Sequence, residues 1–333
     1  MKFNTVIGNP PYNDDIYLDF IQLGHNISSE FVSVVVPAKW QAKDDGKNIT
    51  FRNKLVPYID KIVFYKDTKD AFDIGDSGGI CYFIMDKTEH KHKLVKTICS
   101  RNKNFDSGTF EVHTEENLEL LNNKIKNIVN KLRDSGENTL DRTLSFRRQV
   151  YVLESDNGES TSDNIPTDKV IELYQGNKLV GYKNYMDLLS TEGLDKYKCI
   201  QSCKPVQGSN SPFSPTDGTT LGSSLIVILK PYQIPKGTFQ LLACFDTYEE
   251  AENFKSYIGT KLMSLMQFLG TCGITVNKTF FRYIPDPGNW HTKYADLSED
   301  SNVCSLYKKY KLTDDEINTV ESIIRLRKPN EEV

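Results

Sequence analysis

The chain has 333 residues, 38% apolar and 26% charged, and its 41 Lys and Arg against 45 Asp and Glu give a net charge of −4. That length accommodates two domains with separate cores, and the charge argues against non-specific adhesion to nucleic acid while leaving room for a local basic groove. No apolar run approaches a membrane span, no apolar leader opens the chain, and seven scattered cysteines with one C-x3-C (Cys199, Cys203) build neither a zinc site nor a disulfide framework, so free cytoplasmic thiols and no metal are expected.

The first predicted element is a strand over Phe3–Gly8, a β-branched run closed by glycine. It leads directly into Asn9-Pro10-Pro11-Tyr12. The prolines stiffen the exit, Asn9 offers an amide oxygen, Pro10 a carbonyl that no local N–H easily claims, and Tyr12 a flat ring. Such a set suits a flat, amino-bearing heterocycle, for example an adenine turned out of its helix. Next, Ile16, Phe20, Leu23 and Ile27 recur at helical spacing and predict a helix over 16–27 with these as its apolar positions. Residues 31–36 form a β-branched strand closed by Pro37, residues 48–56 a short helix ending before Pro57, and residues 59–65 and 79–85 two further strands. This alternation is that of an α/β domain. The glycine-rich run Asp73-Ile74-Gly75-Asp76-Ser77-Gly78-Gly79 fits no phosphate-loop spacing and is expected to be a loop beside the site.

Two segments concentrate positive charge. Residues 87–103 carry Lys91, Lys93, Lys96, Arg101 and Lys103 against the single acid Glu89, and residues 142–148 carry Arg142, Arg147 and Arg148. Each is either a phosphate-contacting patch or a solvated face. Between them, residues 114–133 predict a helix capped by Thr114, with Leu118, Leu121, Ile125, Ile128 and Leu132 as its apolar stripe.

The remainder alternates polar stretches with short elements. Residues 154–166 are a linker or surface loop, and residues 170–174 and 178–182 flank the hairpin signal Gln175-Gly176-Asn177. The Ser/Pro/Gly/Thr-rich segment 205–223 supplies little core, whereas 225–229 and 239–244 predict strands. A capping box at Thr247 and Glu250 opens a helix running to about residue 269, and a second at Thr313 and Glu316 opens the last helix, with Arg325, Arg327 and Lys328 at its C-terminal end.

Asn9-Pro10-Pro11-Tyr12 resembles the active-site motif of the amino-group DNA methyltransferases, (Asn/Asp/Ser)-Pro-Pro-(Tyr/Phe/Trp), in the form most similar to the N6-adenine enzymes. The resemblance implies that the Asn9 side-chain oxygen and the Pro10 carbonyl accept both N–H groups of the adenine amine, whose lone pair then attacks the methyl of S-adenosylmethionine. Tyr12 stacks on the flipped base. The order of elements is similar to the second half of that fold, where strands four and five precede a reversed hairpin of strands six and seven. On this resemblance Gly78-Gly79-Ile80-Cys81-Tyr82-Phe83-Ile84 starts the last strand, and an aromatic there lies on the far face of the adenine. Tyr82 is the candidate and Phe83 its alternate, each otherwise a sheet-core residue.

The C-terminal half is similar to the target-recognition domain of one group of restriction–modification adenine methylases, through Glu249-Glu250-Ala251-Glu252-Asn253-Phe254, Tyr283-Ile284-Pro285-Asp286, Trp290 and residues 306–313. There Lys278 and Arg282, with Asn277, fall in a region expected to face double-stranded DNA. The implied fold class is α/β: a partial Rossmann-like methyltransferase sheet over residues 1–112, a helical connector over 113–153, and an α+β target-recognition domain over 154–333. In the family the cofactor motif lies upstream of Asn9, and only eight residues precede it here. Phe268-Leu269-Gly270-Thr271-Cys272-Gly273 would be a permuted substitute, but it follows a helix rather than a strand. S-adenosylmethionine binding is therefore expected to be incomplete in this chain alone and to require a second chain. The alternative is a non-catalytic DNA-binding specificity subunit or decoy; no Pro-Asp…Asp/Glu-x-Lys cluster supports a nuclease.

Overall fold

A β-branched run flanked by glycine and proline pairs most readily with another of its kind, and the first four strands follow that rule. The computed structural model describes residues 2–41, 46–65, 68, 71–72, 79–88, 94–101, 104–111, 123–144, 146–203, 220–221, 226–270 and 276–326. The chain divides into two units, one of Met1–Asn130 with two later segments (Gln207–Gly218 and Leu269–Ile274), the other of Lys131–Val206, Thr219–Phe268 and Thr275–Val333.

The first unit holds β1 (Phe3–Gly8), α1 (Ile16–Ile27), β2 (Ser28–Pro37), α2 (Gly46–Leu55), β3 (Ile59–Tyr65), β4 (Ile80–Asp86), β5 (Leu94–Arg101) and β6 (Asn104–Glu111). They form one six-stranded sheet in the order β1-β2-β4-β3-β5-β6. β1 and β2 are parallel, and β4 runs antiparallel between β2 and β3. The hairpin β5–β6 extends the sheet beyond the four strands predicted, with β5 parallel to β3. Val32, Val34, Val36, Ile62, Phe64, Cys81, Phe83 and Met85 form the sheet side of a core that Tyr17, Leu18 and Ile21 close from α1 and Phe51 and Leu55 from α2.

α1 has the predicted bounds but a different buried face. Tyr17, Leu18, Ile21 and Gly24 are buried, whereas Ile16, Phe20 and Leu23 are 41%, 45% and 52% exposed. Gly24 explains the rotation, since a Cβ there would lie 3.3 Å from Val6 Cγ1, so its bareness lets the helix approach β1 and β2. Among the described residues β1 ends the sheet, with Phe3 and Ile7 49% and 79% exposed.

α3 (Asn123–Arg133) leads towards the second unit. Of the predicted helix over 114–133, the part before residue 123, including Thr114, Leu118 and Leu121, lies outside the described residues. The second unit continues through α4 (Leu140–Thr143), β7 (Arg147–Arg148), β8 (Val170–Gln175), β9 (Lys178–Asn184), β10 (Tyr197–Ser202), β11 (Thr220–Leu221), β12 (Ile226–Leu229), β13 (Gln233–Pro235), β14 (Phe239–Phe245), α5 (Tyr248–Ile258), α6 (Lys261–Gly270), β15 (Lys293–Ala295), β16 (Val303–Ser305), α7 (Leu306–Lys309), α8 (Asp314–Ile323) and β17 (Ile324–Arg325).

Two of its sheets, β12-β10-β14-β7 and β13-β8-β9, share a core of Tyr151, Ile171, Leu173, Ile200, Leu229, Ile234 and Leu241. The β8–β9 hairpin turns at Gly176, whose φ of +62° suits glycine. The polar stretch 154–166 is pinned to β9, with Glu159 and Tyr182 exchanging both backbone hydrogen bonds.

Both capping boxes form as predicted, at Thr247–Glu250 and Thr313–Glu316. The single helix predicted behind the first is instead α5 and α6, broken at Gly259-Thr260. Asp296 causes the restart: its carboxylate accepts hydrogen bonds from the backbone N–H of Lys261 (2.7 Å) and Leu262 (2.9 Å), capping a new helix N-terminus. At the C-terminal end α8 stops at Ile323, and Ile324-Arg325 pairs in parallel with Thr220-Leu221, so Arg325 belongs to a strand; Arg327 and Lys328 lie outside the described residues. Among the described residues no helix is long and apolar enough to cross a membrane.

Candidate active site

Because β1, β2 and β3 run the same way, their C-terminal ends share one edge of the sheet with the start of β4. In open α/β sheets that edge is where ligands bind. Asn9-Pro10-Pro11-Tyr12 leaves β1 there, with Asn9 exposed, Pro10 buried and Tyr12 half-buried. The Tyr12 hydroxyl donates to Asn9 Oδ1 at 2.7 Å. The bond fixes the amide with its oxygen towards the ring and leaves that oxygen a second lone pair.

The loop then makes one tight turn, Asn13–Asp15, before α1. Asp14 (φ 45°) and Asp15 (φ 61°) both adopt the left-handed conformation. Asp15 sits where a helix-capping residue would, yet its side chain caps no N–H. Its buried carboxylate instead meets Lys39 Nζ at 2.9 Å, and Oδ2 accepts from Asn48 Nδ2 at 3.5 Å. Lys39 belongs to the turn Ala38–Gln41 that follows β2, and its ammonium lies 5.6 Å above the Tyr17 ring. That turn is itself anchored: Ala38 N–H donates to the Gly79 carbonyl, Arg52 Nη1 donates to the Trp40 carbonyl at 2.8 Å, and the Trp40 indole packs edge-on against Phe51 and Phe83.

Tyr82 and Phe83 alternate across the sheet. Tyr82, near the start of β4, is 37% exposed and lies 6.2 Å from the Tyr65 ring. Phe83 is fully buried against Trp40, in the core that α1 and α2 close, so it offers no surface to a base and is corrected from alternate platform to core residue.

The candidate phosphate-contacting residues fall in both units. Lys91, Lys93 and Lys103 lie outside the described residues, and Lys96 and Arg101 are on β5, where only the backbone is described. Lys87, at the head of that basic segment, turns inward instead. Its Nζ donates to the carbonyls of His25 and Ser28, both at 2.5 Å, and so holds the C-terminal end of α1. In the second unit Arg147 makes a two-pronged ion pair with Glu192 (2.6 and 2.9 Å), whose hydrogen bonds hold the Arg147 pKa up and the Glu192 pKa down. Arg148 pairs with Glu154 at 3.0 Å. These carboxylates already meet the side-chain charge that phosphate would have to claim. Lys278, exposed, opens a short turn whose N-terminus Asn277 caps through Oδ1, and Arg282, half-buried, follows its end. Among the described residues no cluster of His, Cys, Asp and Glu is arranged to hold a metal.

Asp15, Lys39 and Asn48 were not singled out by sequence. The only signal was Asn13-Asp14-Asp15 after Tyr12, residues of a type that tolerates positive φ.

No protein-family model matches the chain. A curated protein from Mycoplasma pneumoniae (strain ATCC 29342 / M129 / Subtype 1), named "Uncharacterized adenine-specific methylase", is 30% identical over 116 residues, which cover 30% of this chain and 28% of that protein. The matched part of the chain thus spans little more than a quarter of that relative. Among solved structures, the type IIG restriction endonuclease BpuSI covers 96% of this chain with 49% of its own length at 11% identity and a TM-score of 0.34. The type I restriction-modification system methyltransferase subunit from Streptococcus thermophilus covers 40% of this chain with 32% of its own length, at 16% identity and a TM-score of 0.24. At TM-scores below 0.5 neither likeness establishes a shared fold.

Proposed function

We propose that this chain is the base-binding and target-recognition portion of a DNA adenine-N6 methyltransferase of restriction–modification type. The observation that carries the proposal is the Asn9–Tyr12 loop at the C-terminal end of β1, with Asn9 Oδ1 already oriented by the Tyr12 hydroxyl. The strand order β1-β2-β4-β3, with β4 reversed, supports it, as does the similarity to a protein named an adenine-specific methylase.

In this proposal Asn9 Oδ1 and the Pro10 carbonyl accept the two N–H groups of a flipped adenine. They hold its nitrogen pyramidal, so that the lone pair leaves the ring plane. Tyr12 and Tyr82 line the two faces of the base, and the second unit, with Lys278 and Arg282, recognises the duplex. S-adenosylmethionine supplies the methyl group. The described residues do not by themselves enclose it: β1 is an edge strand, and next to it no strand ends in a glycine-rich turn. A second chain carrying the cofactor half would cover this edge, where Phe3 and Ile7 of β1 are exposed, as are Ile16, Phe20 and Leu23 on α1.

Methyl transfer from labelled S-adenosylmethionine to adenine-containing duplex DNA, with and without the chain encoded immediately upstream, tests the proposal. Labelling that Asn9→Ala abolishes is expected. Activity that survives both Asn9→Ala and Tyr12→Ala would remove the catalytic role. DNA binding with no labelling under either condition would favour a non-catalytic specificity subunit or decoy.

A further inference from the structure

We infer that Asp15 and Lys39 form a latch that holds the Asn9–Tyr12 loop in its amine-accepting shape, an inference resting on the proposed role of Asn9 and Pro10. The backbone gives the first reason. Two consecutive non-glycine residues, Asp14 at φ 45° and Asp15 at φ 61°, follow one residue after Tyr12. Such conformations are unfavourable and persist only where the surroundings over-determine them, most often at functional sites. The described surroundings of Asp15 do so from three elements at once: its own turn, Lys39 after β2, and Asn48 on α2.

The second reason is what the carboxylate does not do. An Asp preceding a helix ordinarily caps it from an extended conformation. Asp15 forgoes the cap, and its left-handed backbone aims the carboxylate at Lys39 instead. The Asp15 side chain is 9% exposed and that of Lys39 31%, so the carboxylate is the shielded end of the pair, and removing Lys39 takes the ion partner from a buried carboxylate. With Asp15 fixed, the chain between it and the end of β1 has little room to shift. Tyr12, three residues earlier, stays where its hydroxyl reaches Asn9. Asp15 and Lys39 are thus positioning residues, acting through Asn9 and Tyr12.

The test pairs amide hydrogen exchange on the full chain with single-turnover methyl transfer in the presence of the upstream-encoded chain. Asp15→Asn, Lys39→Met and the double variant are each expected to speed exchange over residues 9–16 about tenfold, with β2 and β4 unchanged. The single-turnover rate should fall about tenfold to a hundredfold while the half-saturating DNA concentration moves less than about threefold. The double variant should be no worse than the worse single one, because the two residues act as a unit. Lys39→Arg should recover much of the loss. Unchanged exchange over 9–16 in Lys39→Met, or faster exchange spread evenly through β2 and β4, would overturn the latch. Exchange needs no substrate, so if it rises locally while even the unaltered chain transfers no methyl group, the latch stands and the methyltransferase proposal fails.

Discussion

In the proposed site the ring of Tyr12 and its hydroxyl serve different ends. The ring offers a stacking face, and the hydroxyl orients Asn9 Oδ1. Tyr12→Phe keeps the first and loses the second, so it should slow single-turnover transfer about tenfold, whereas Tyr12→Ala should also weaken capture of the flipped base, seen as reduced fluorescence of 2-aminopurine at the target position. Tyr82 and Phe83 allow a sharper contrast between neighbours. Phe83 is fully buried against Trp40 and Tyr82 is 37% exposed. Phe83→Ala should cost about 3–5 kcal/mol of stability in denaturant melts. Tyr82→Ala should leave the melt nearly unchanged and lower transfer; the reverse pattern would exchange their roles.

At the scale of elements, α8 carries a pH dependence whose sign follows from Glu316. This residue closes the capping box by accepting from the Thr313 N–H (2.8 Å), and also accepts from Lys131 Nζ (2.6 Å). Burial pushes its pKa up, but the bonds from Lys131 and Thr313 outweigh that and hold it below the ordinary value of 4.5. A depressed carboxylate contributes stability that is present above the unfolded pKa and lost as pH falls through the folded one. Glu316→Gln keeps the capping geometry and loses the ion pair. Its melting temperature should lie below that of the unaltered chain at pH 7, and the gap should close in acid. The same scale shows what was legible in sequence. β1 to β4 and the two capping boxes were readable because each is written in a few adjacent residues, as was the Asn9–Tyr12 motif. The buried face of α1 was not, since Ile16, Phe20 and Leu23 have the apolar spacing of a core stripe yet stand exposed, and Gly24 decides the rotation. Nor was the break before α6, because its cap, Asp296, comes 35 residues after Lys261. The contacts of Asp15 were hidden for the same reason, with Asn48 lying 33 residues away.

Across the whole molecule, the proposed function divides between a first unit whose sheet, among the described residues, ends at β1 and a second unit that would read DNA. Exposed Ile7 on β1 and Phe20 on α1 would lie under the chain that brings the cofactor half. Phe20→Asp and Ile7→Lys should therefore abolish co-purification with the upstream-encoded chain without lowering the melting temperature of this one; binding that survives both would place the partner elsewhere. The most direct test of the central claim is to identify the labelled nucleoside. After incubation with labelled S-adenosylmethionine, the upstream-encoded chain and duplex DNA, the DNA is digested to nucleosides and separated by chromatography. The account predicts label in N6-methyl-2′-deoxyadenosine alone, lost in Asn9→Ala. Label in a methylated 2′-deoxycytidine, or in N6-methyl-2′-deoxyadenosine undiminished by Asn9→Ala, would contradict it.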